Sequence, residues 1–323
     1  MSTARDWAEL LRLPALFTVP GDALAGAATT GLHPNHRTLL AIGSSLCLYE
    51  AGMALNDWAD RTEDAVERPE RPLPSGRIAP PAALAAATAL TAAGLTLASR
   101  AGRTALAVAG ALAGTVWAYD LGLKHTPAGP VAMATARGLD LLLGATATAG
   151  RGNAPRARAA APSAAVLAAH TLAVTEVSRH EAQGGSSTTP LAALAATTAL
   201  GHAVGRGGWP GSLRRGDGIR QGAGPGPESG RGTGPDRRPH NPASQALRAG
   251  LALAYVGTTA KPLFHAVLNP SPPLTQRAVG GGIRAMIPLQ AALSARAGAV
   301  GTALLTAALA PAARKFARKV SVT

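Results

Sequence analysis

The sequence predicts an all-α, polytopic membrane helix bundle of about nine to ten transmembrane helices. Three observations carry that expectation. Apolar runs close to the bilayer-spanning length recur along most of the 323 residues. Hydrophobic residues make up 47% of the chain and aromatics only 3%, so small aliphatic side chains dominate the runs. The charged residues lie mainly between those runs rather than within them.

Residues 1–12 form an amphipathic lead-in, with Arg5, Asp6, Glu9 and Arg12 around Trp7. The run Leu13–Leu32 follows without a convincing cleavage site, and is expected to stay attached as a first span. Further runs cover 38–56, 80–99, 103–119, 129–149, 161–178, 188–205, 245–264, 278–294 and 297–313. Arg284 lies inside the ninth run and Arg296 splits it from the tenth, so that boundary is loose. The chain divides into a membrane core over 1–205, a Gly/Pro/Arg-rich stretch over 206–243, and C-terminal spans with a basic tail over 244–323. The middle stretch has the composition of a disordered loop with no catalytic role.

The formal net charge is +14. Basic residues flank apolar runs and aromatic partners are scarce, which argues against nucleic acid and for anionic headgroups and diphosphates. The lone Cys47 excludes an intrachain disulfide and reads as a small core residue.

One stretch organises the chain: Asn56–Arg77, NDWADRTEDAVERPERPLPSGR. On a helix, with Asn56 at zero, Asp60 falls at about 40°, Asp64 at about 80° and Asp57 at about 100°. All four project from one side. Carboxylates so placed repel one another unless a cation sits among them, and hard oxygens suit Mg²⁺. Arg68, Arg71 and Arg77 then alternate with Pro69, Pro72, Pro74 and Gly76 in a stiff basic loop suited to a diphosphate. The stretch resembles the first signature of the UbiA family of intramembrane prenyltransferases, N-D-x-x-D-x-x-x-D-x-x-x-x-R-P-x-R-P-[LI]-x-x-G.

Two more elements are similar to that family. Tyr119-Asp120-Leu121-Gly122-Leu123-Lys124, at the end of run four, resembles its Y-x(3,4)-K element, with Lys124 as a point charge on a diphosphate oxygen. Arg12-x-Pro14 resembles the family's start; Arg12 is either a phosphate ligand or a positive-inside anchor. Run six ends in Thr175–Gly185, where the family carries a second acidic motif, commonly D-x-x-x-D. Here Glu176 takes the first position, His180 stands at i+4, and Glu181 follows one residue later. Glu176 and Glu181 are therefore the expected second set of Mg²⁺ ligands, with His180 undecided between ligand and base.

Within the spans, Arg137 and Asp140 stand at i and i+3, as a self-neutralising pair or as acceptor-pocket lining. Glu50 reads as an acceptor-site base or as a carboxyl kept neutral by burial. The resemblance implies Mg²⁺-dependent transfer of a prenyl group from an isoprenoid diphosphate to a lipophilic acceptor. Asn56, Asp57, Asp60 and Asp64 would hold the metal, with Arg68, Arg71, Lys124 and Tyr119 at the donor and Arg137 and Asp140 at the acceptor. A lipid-diphosphate binder or carrier without chemistry is the alternative. An inside N-terminus puts the loops after runs two, four and six together on the cytoplasmic face of the cell membrane.

Overall fold

A computed structural model describes residues 3–181, 184–206 and 242–320. Among these, every element is helical. In order they are α1 (Ala4–Leu10), α2 (Val19–Thr29), α3 (His36–Ala59), α4 (Arg61–Glu67), α5 (Pro80–Ala101), α6 (Arg103–Ala118), α7 (Gly129–Ala149), α8 (Ala154–Arg158), α9 (Ala161–Ser178), α10 (Thr188–Gly205), α11 (Pro242–Leu268), α12 (Pro272–Arg296) and α13 (Val300–Val320). A 3₁₀ turn, Leu13–Thr18, precedes α2, and a π-helical turn, Tyr119–Leu123, ends α6.

Nine apolar runs match a long helix each. The spans His36–Ala59, Pro80–Ala101, Arg103–Leu123, Ala154–Ser178 and Pro242–Leu268 are long and apolar enough to cross a membrane. The first run differs from expectation. It is not one span but the 3₁₀ turn followed by the 11-residue α2, about 16 Å long at 1.5 Å per residue. Pro14 and Pro20 explain the break: proline lacks the N–H that a continuous helix needs, and each sits where a new helix begins. The expected loop over 206–243 falls largely on 207–241, outside the described residues. Its end is corrected, because Pro242 and Ala243 already belong to α11.

Small residues let the helices approach closely. Gly26 of α2 faces the backbone of α7 at Leu141, and Gly144 of α7 faces that of α2 at Ala23; a Cβ on either would overlap the facing carbonyl. Without a hydrophobic drive between helices in lipid, such backbone contact is what packs them. On the other side, α3 runs along α5, and α11 along α12. Leu141, Leu167, Leu289, Leu293 and Tyr255 are buried in the core shared by α7, α9, α11 and α12.

Candidate active site

The helix carrying the first motif bends where the acids begin. α3 stops at Ala59, and Asp60 leaves helical geometry at φ −86°, ψ 4°. The i to i−4 hydrogen bonds continue through the bend: Asp60 N–H donates to Asn56 O at 2.9 Å, and Asp64 N–H to Asp60 O at 2.8 Å. Asp57 therefore ends α3 while Asp64 lies on α4, a correction to the single straight helix read from the spacing. Repulsion among the acids is relieved by four cations from three segments. Arg12 Nη2 lies 2.9 Å from Asp57, and Arg71 Nη1 lies 2.7 Å from Asp64 and 3.6 Å from Asp57. Arg68 Nη1 is 3.7 Å from Asp64, and Lys124 is ion-paired with Asp60. Arg12 adopts the left-handed backbone conformation, φ 49°, that places its side chain here.

Asn56 turns its amide to Asp120, Nδ2 donating to Oδ1 at 3.1 Å. The π turn at Tyr119–Leu123 makes that possible by widening the end of α6, with Lys124 N–H donating to Tyr119 O at 3.0 Å. Such π bulges are often found at functional sites.

Behind this mouth lies a cavity of about 530 Å³. Arg12, Asn56, Tyr119 and Asp120 stand at its polar end. Leu48, Gly52, Met53, Leu112, Val116, Ala132, Met133, Val174, Val279, Gly282, Ile283 and Met286 line much of the remainder. A second polar group forms the floor. Arg137 donates to Asp22 of α2 at 2.5 Å and to Thr18 Oγ1 at 3.3 Å. Gln290 Nε2 donates to the same Asp22 at 2.6 Å and to Thr18 O at 2.8 Å. Ser45 donates to Asp140. His170 bridges three helices, with Nδ1 3.0 Å from Tyr255 Oη and Nε2 3.1 Å from Gly282 O.

The model of the UbiA prenyltransferase family matches residues 15–205. This chain belongs to the UbiA prenyltransferase family. It is 38% identical over 143 residues to the digeranylgeranylglyceryl phosphate synthase of Methanothrix thermoacetophila, 43% of this chain and 53% of the relative. It is also 38% identical over 125 residues to the protoheme IX farnesyltransferase of Acidiphilium cryptum, 36% and 38% of the two chains. The chain spans about half the length, or less, of these curated relatives. Two solved structures share the fold. One is an apo UbiA homolog from Aeropyrum pernix K1, with TM-score 0.58 and 17% identity over 86% of this chain and 96% of that one. The other is a UbiA homolog from Archaeoglobus fulgidus bound to GPP and Mg²⁺, with TM-score 0.56 and 16% identity over 91% and 99%.

Set against the UbiA signature, Asn56, Asp57, Asp60, Asp64, Arg68, Arg71 and Lys124 come together at the mouth. Arg77 does not join them. It holds α1 instead, at 2.8 Å from Asp6 and 2.7 Å from Glu9. Hydrogen bonds from Thr3, and after them Arg77, pull the Asp6 carboxyl down to about 2. Among the described residues the acids that meet within metal-ligand reach of one another are Asp60 and Glu63, with His125, rather than Asp57, Asp60 and Asp64. The donor chemistry fits Mg²⁺ at Asp60, with carboxylate oxygens and room at the exposed Glu63 side. His125 is the softer member.

Arg137 and Asp140 both line the cavity, and each has a hydrogen-bond partner on another element: Arg137 has Asp22, and Asp140 has Ser45. Glu50 is buried and is not among the residues that line the cavity, and its carboxyl has no hydrogen-bond partner among the described residues. In the second motif, Thr175 and Ser178 reach the cavity but Glu176 and Glu181 do not. Glu181 feels Arg68 across the loops, while burial pushes its carboxyl up. The His180 ring rests on its own helix, Nδ1 3.3 Å from Glu176 O.

Asp120, Asp22, Ser45 and Gln290 were not singled out by the sequence. For Asp22 the signal was present, since a lone acid inside an apolar run requires a partner. Its partner, 115 positions away, shows only in the fold.

Proposed function

We propose that this UbiA family member transfers a prenyl group from an isoprenoid diphosphate to a lipophilic acceptor inside the membrane, with Mg²⁺. The observation that carries the reading is the juxtaposition of an ionic mouth and a largely apolar cavity. Diphosphate chemistry needs the first, and a hydrocarbon chain and its carbocation need the second. The GPP and Mg²⁺ bound by the Archaeoglobus fulgidus homolog support the same pairing.

Asp60, which already meets Glu63, would hold the metal together with Asp57, Asp64 and Asn56 once their cations turn to the diphosphate; the metal when bound supplies charge neutralisation to the leaving group. Glu176 and Glu181 are proposed to complete that rim from the second motif; the electrostatic reach of Glu181 to Arg68 supports it. Arg12, Arg68, Arg71 and Lys124 leave their carboxylates to take diphosphate oxygens. Tyr119 orients the donor at the neck. The allylic C–O bond breaks, its electron pair leaving on the diphosphate. The cavity keeps water from the cation, the acceptor's nucleophilic atom forms the new bond, and its proton passes to a base. Arg137 and Asp140 hold the polar end of the acceptor. The core over 1–205, with α12 completing the cavity wall, carries this chemistry as a multi-pass cell-membrane protein of nine to ten spans, with the mouth facing the cytoplasm.

The test uses the full chain in proteoliposomes with Mg²⁺ and labelled isoprenoid diphosphates of several lengths. Metal-dependent release of diphosphate, with label appearing in a lipid product, is expected. Saturable donor binding with no release for any donor would replace the enzyme with a non-catalytic carrier. In parallel, cysteines introduced into 57–79, 121–128 and 179–181 in a Cys47→Ala background should label from one side of the membrane.

A further inference from the structure

The end of the bundle away from the mouth is basic without compensation. It is built by segments 30–37, 100–103, 150–160, 203–206, 242–248 and 296–300, none of which contains Asp or Glu. Each carries at least one arginine. Contacts tie these segments together: Asn35 donates to Thr148 O, Arg248 to Gly205 O and Arg296 to Ala203 O.

Arg248 and Arg296 have an internal explanation, since they bind carbonyls at the C-terminal end of α10. So does Arg37, whose guanidinium packs against Gly150 at the C-terminal end of α7. Arg103 does not: it is the first residue of α6. A helix begins with the positive end of its dipole, where a carboxylate is favoured and an arginine opposed. Arg103, Arg156 and Arg158 are exposed. An acid-free basic rim at the edge of an apolar bundle requires anions from outside the chain, and the nearest source is the lipid phosphate of that leaflet.

We propose that this far-end rim is a binding surface for anionic phospholipid headgroups, with Arg103, Arg156 and Arg158 as its principal contacts. Unlike the mouth, where cations and carboxylates neutralise one another, it has a standing affinity for anions. It is separated from the mouth by the length of the helices, so it acts on residence and orientation in the bilayer rather than on the reaction.

The experiment reconstitutes the full chain in equal mixtures of phosphatidylglycerol and phosphatidylcholine, extracts it gently and measures the retained lipids by mass spectrometry. Wild-type protein is expected to retain phosphatidylglycerol preferentially. Each Arg→Gln change at the three positions should lower the preference by roughly fivefold at most, and the combined variant should erase it. A control, Lys315→Gln at the other end, should keep it. Thermal unfolding of the wild-type protein in neutral micelles gives an arm independent of variant folding: phosphatidylglycerol should raise the midpoint. No preference in the wild type, or an undiminished one in a folded combined variant, overturns the proposal. Equal stabilisation by inorganic phosphate would overturn it in favour of a free-anion site, and stronger stabilisation by an oligonucleotide in favour of nucleic acid.

Discussion

At the mouth of the cavity three carboxylates are shared among four cations; at its floor two carboxylates are grouped around one. Asp57, Asp60 and Asp64 face Arg12, Arg68, Arg71 and Lys124. Asp22 and Asp140 face Arg137, Gln290 and Ser45. The cations differ in exposure as well. The Arg12 and Arg68 side chains are 40% and 51% exposed and Arg137 14%, while their carboxylates Asp57, Asp64 and Asp22 are all buried. Pairs whose cation faces water contribute less stability and exchange partners more readily. Closed pairs are costly to break because the survivor stays charged and buried. The same residue types thus serve two ends: the mouth trades partners, and the floor keeps them.

The largest expected effect breaks the floor. Arg137→Ala leaves Asp22 without its cation, and should cost about 3–5 kcal/mol in stability, read by thermal unfolding in detergent. Donor affinity should change little. A stable Arg137→Ala protein with weakened diphosphate binding would mean that the floor behaves as a second mouth. Next comes Asp64→Ala, which frees Arg71 at the other end of the site. It should leave the protein folded and in the membrane, with turnover down by about a hundredfold or more. Wild-type turnover would remove the first motif from the mechanism.

Glu181→Gln and Glu176→Gln sharpen the picture of the mouth, with losses of a few-fold in apparent Mg²⁺ affinity. Burial raises the Glu181 carboxyl above 4.5. Its ionised form, and any metal affinity it lends, therefore grows as pH rises through that higher value. Glu181→Gln should flatten the pH dependence; an unchanged profile in both variants refutes a second metal position. The smallest effect concerns the clamp beside the mouth. The Asp6 carboxyl lies below its ordinary 3.8, at about 2, so its contribution is present above 3.8 and lost as pH falls toward 2. Trp7 fluorescence should report loosening of α1 across that window in the wild type, and no such transition in Asp6→Asn.

Much of this was legible in the chain. Apolar run length located nine of the long helices, because in lipid a helix must satisfy its own backbone and length leaves few options. The motif spacing gathered the mouth residues, since hydrogen bonding through Asp60 preserves the angular order despite the bend. The break in the first run was written in Pro14 and Pro20 but masked by continuous hydropathy. The floor was hidden for another reason. Arg137 was read against Asp140, its neighbour on the same helix, whereas its strong partner comes from α2. Local spacing cannot choose between a near partner and a far one.

The paired glycines of α2 and α7 decide where substrate range can change. At Gly26 and Gly144, behind the cavity lining, the obstacle to any larger residue is main chain, so the α2–α7 seam that backs that lining is of fixed width and Asp22 and Arg137 keep their separation. Across the cavity, a Cβ at Gly282 would meet only the side chain of Val174, and both residues line the space. Trimming or enlarging a valine is a single, tolerable mutation. A lineage of this fold adapting to bulkier or slimmer acceptors would therefore be expected to vary at the α9–α12 wall and to hold the α2–α7 wall constant.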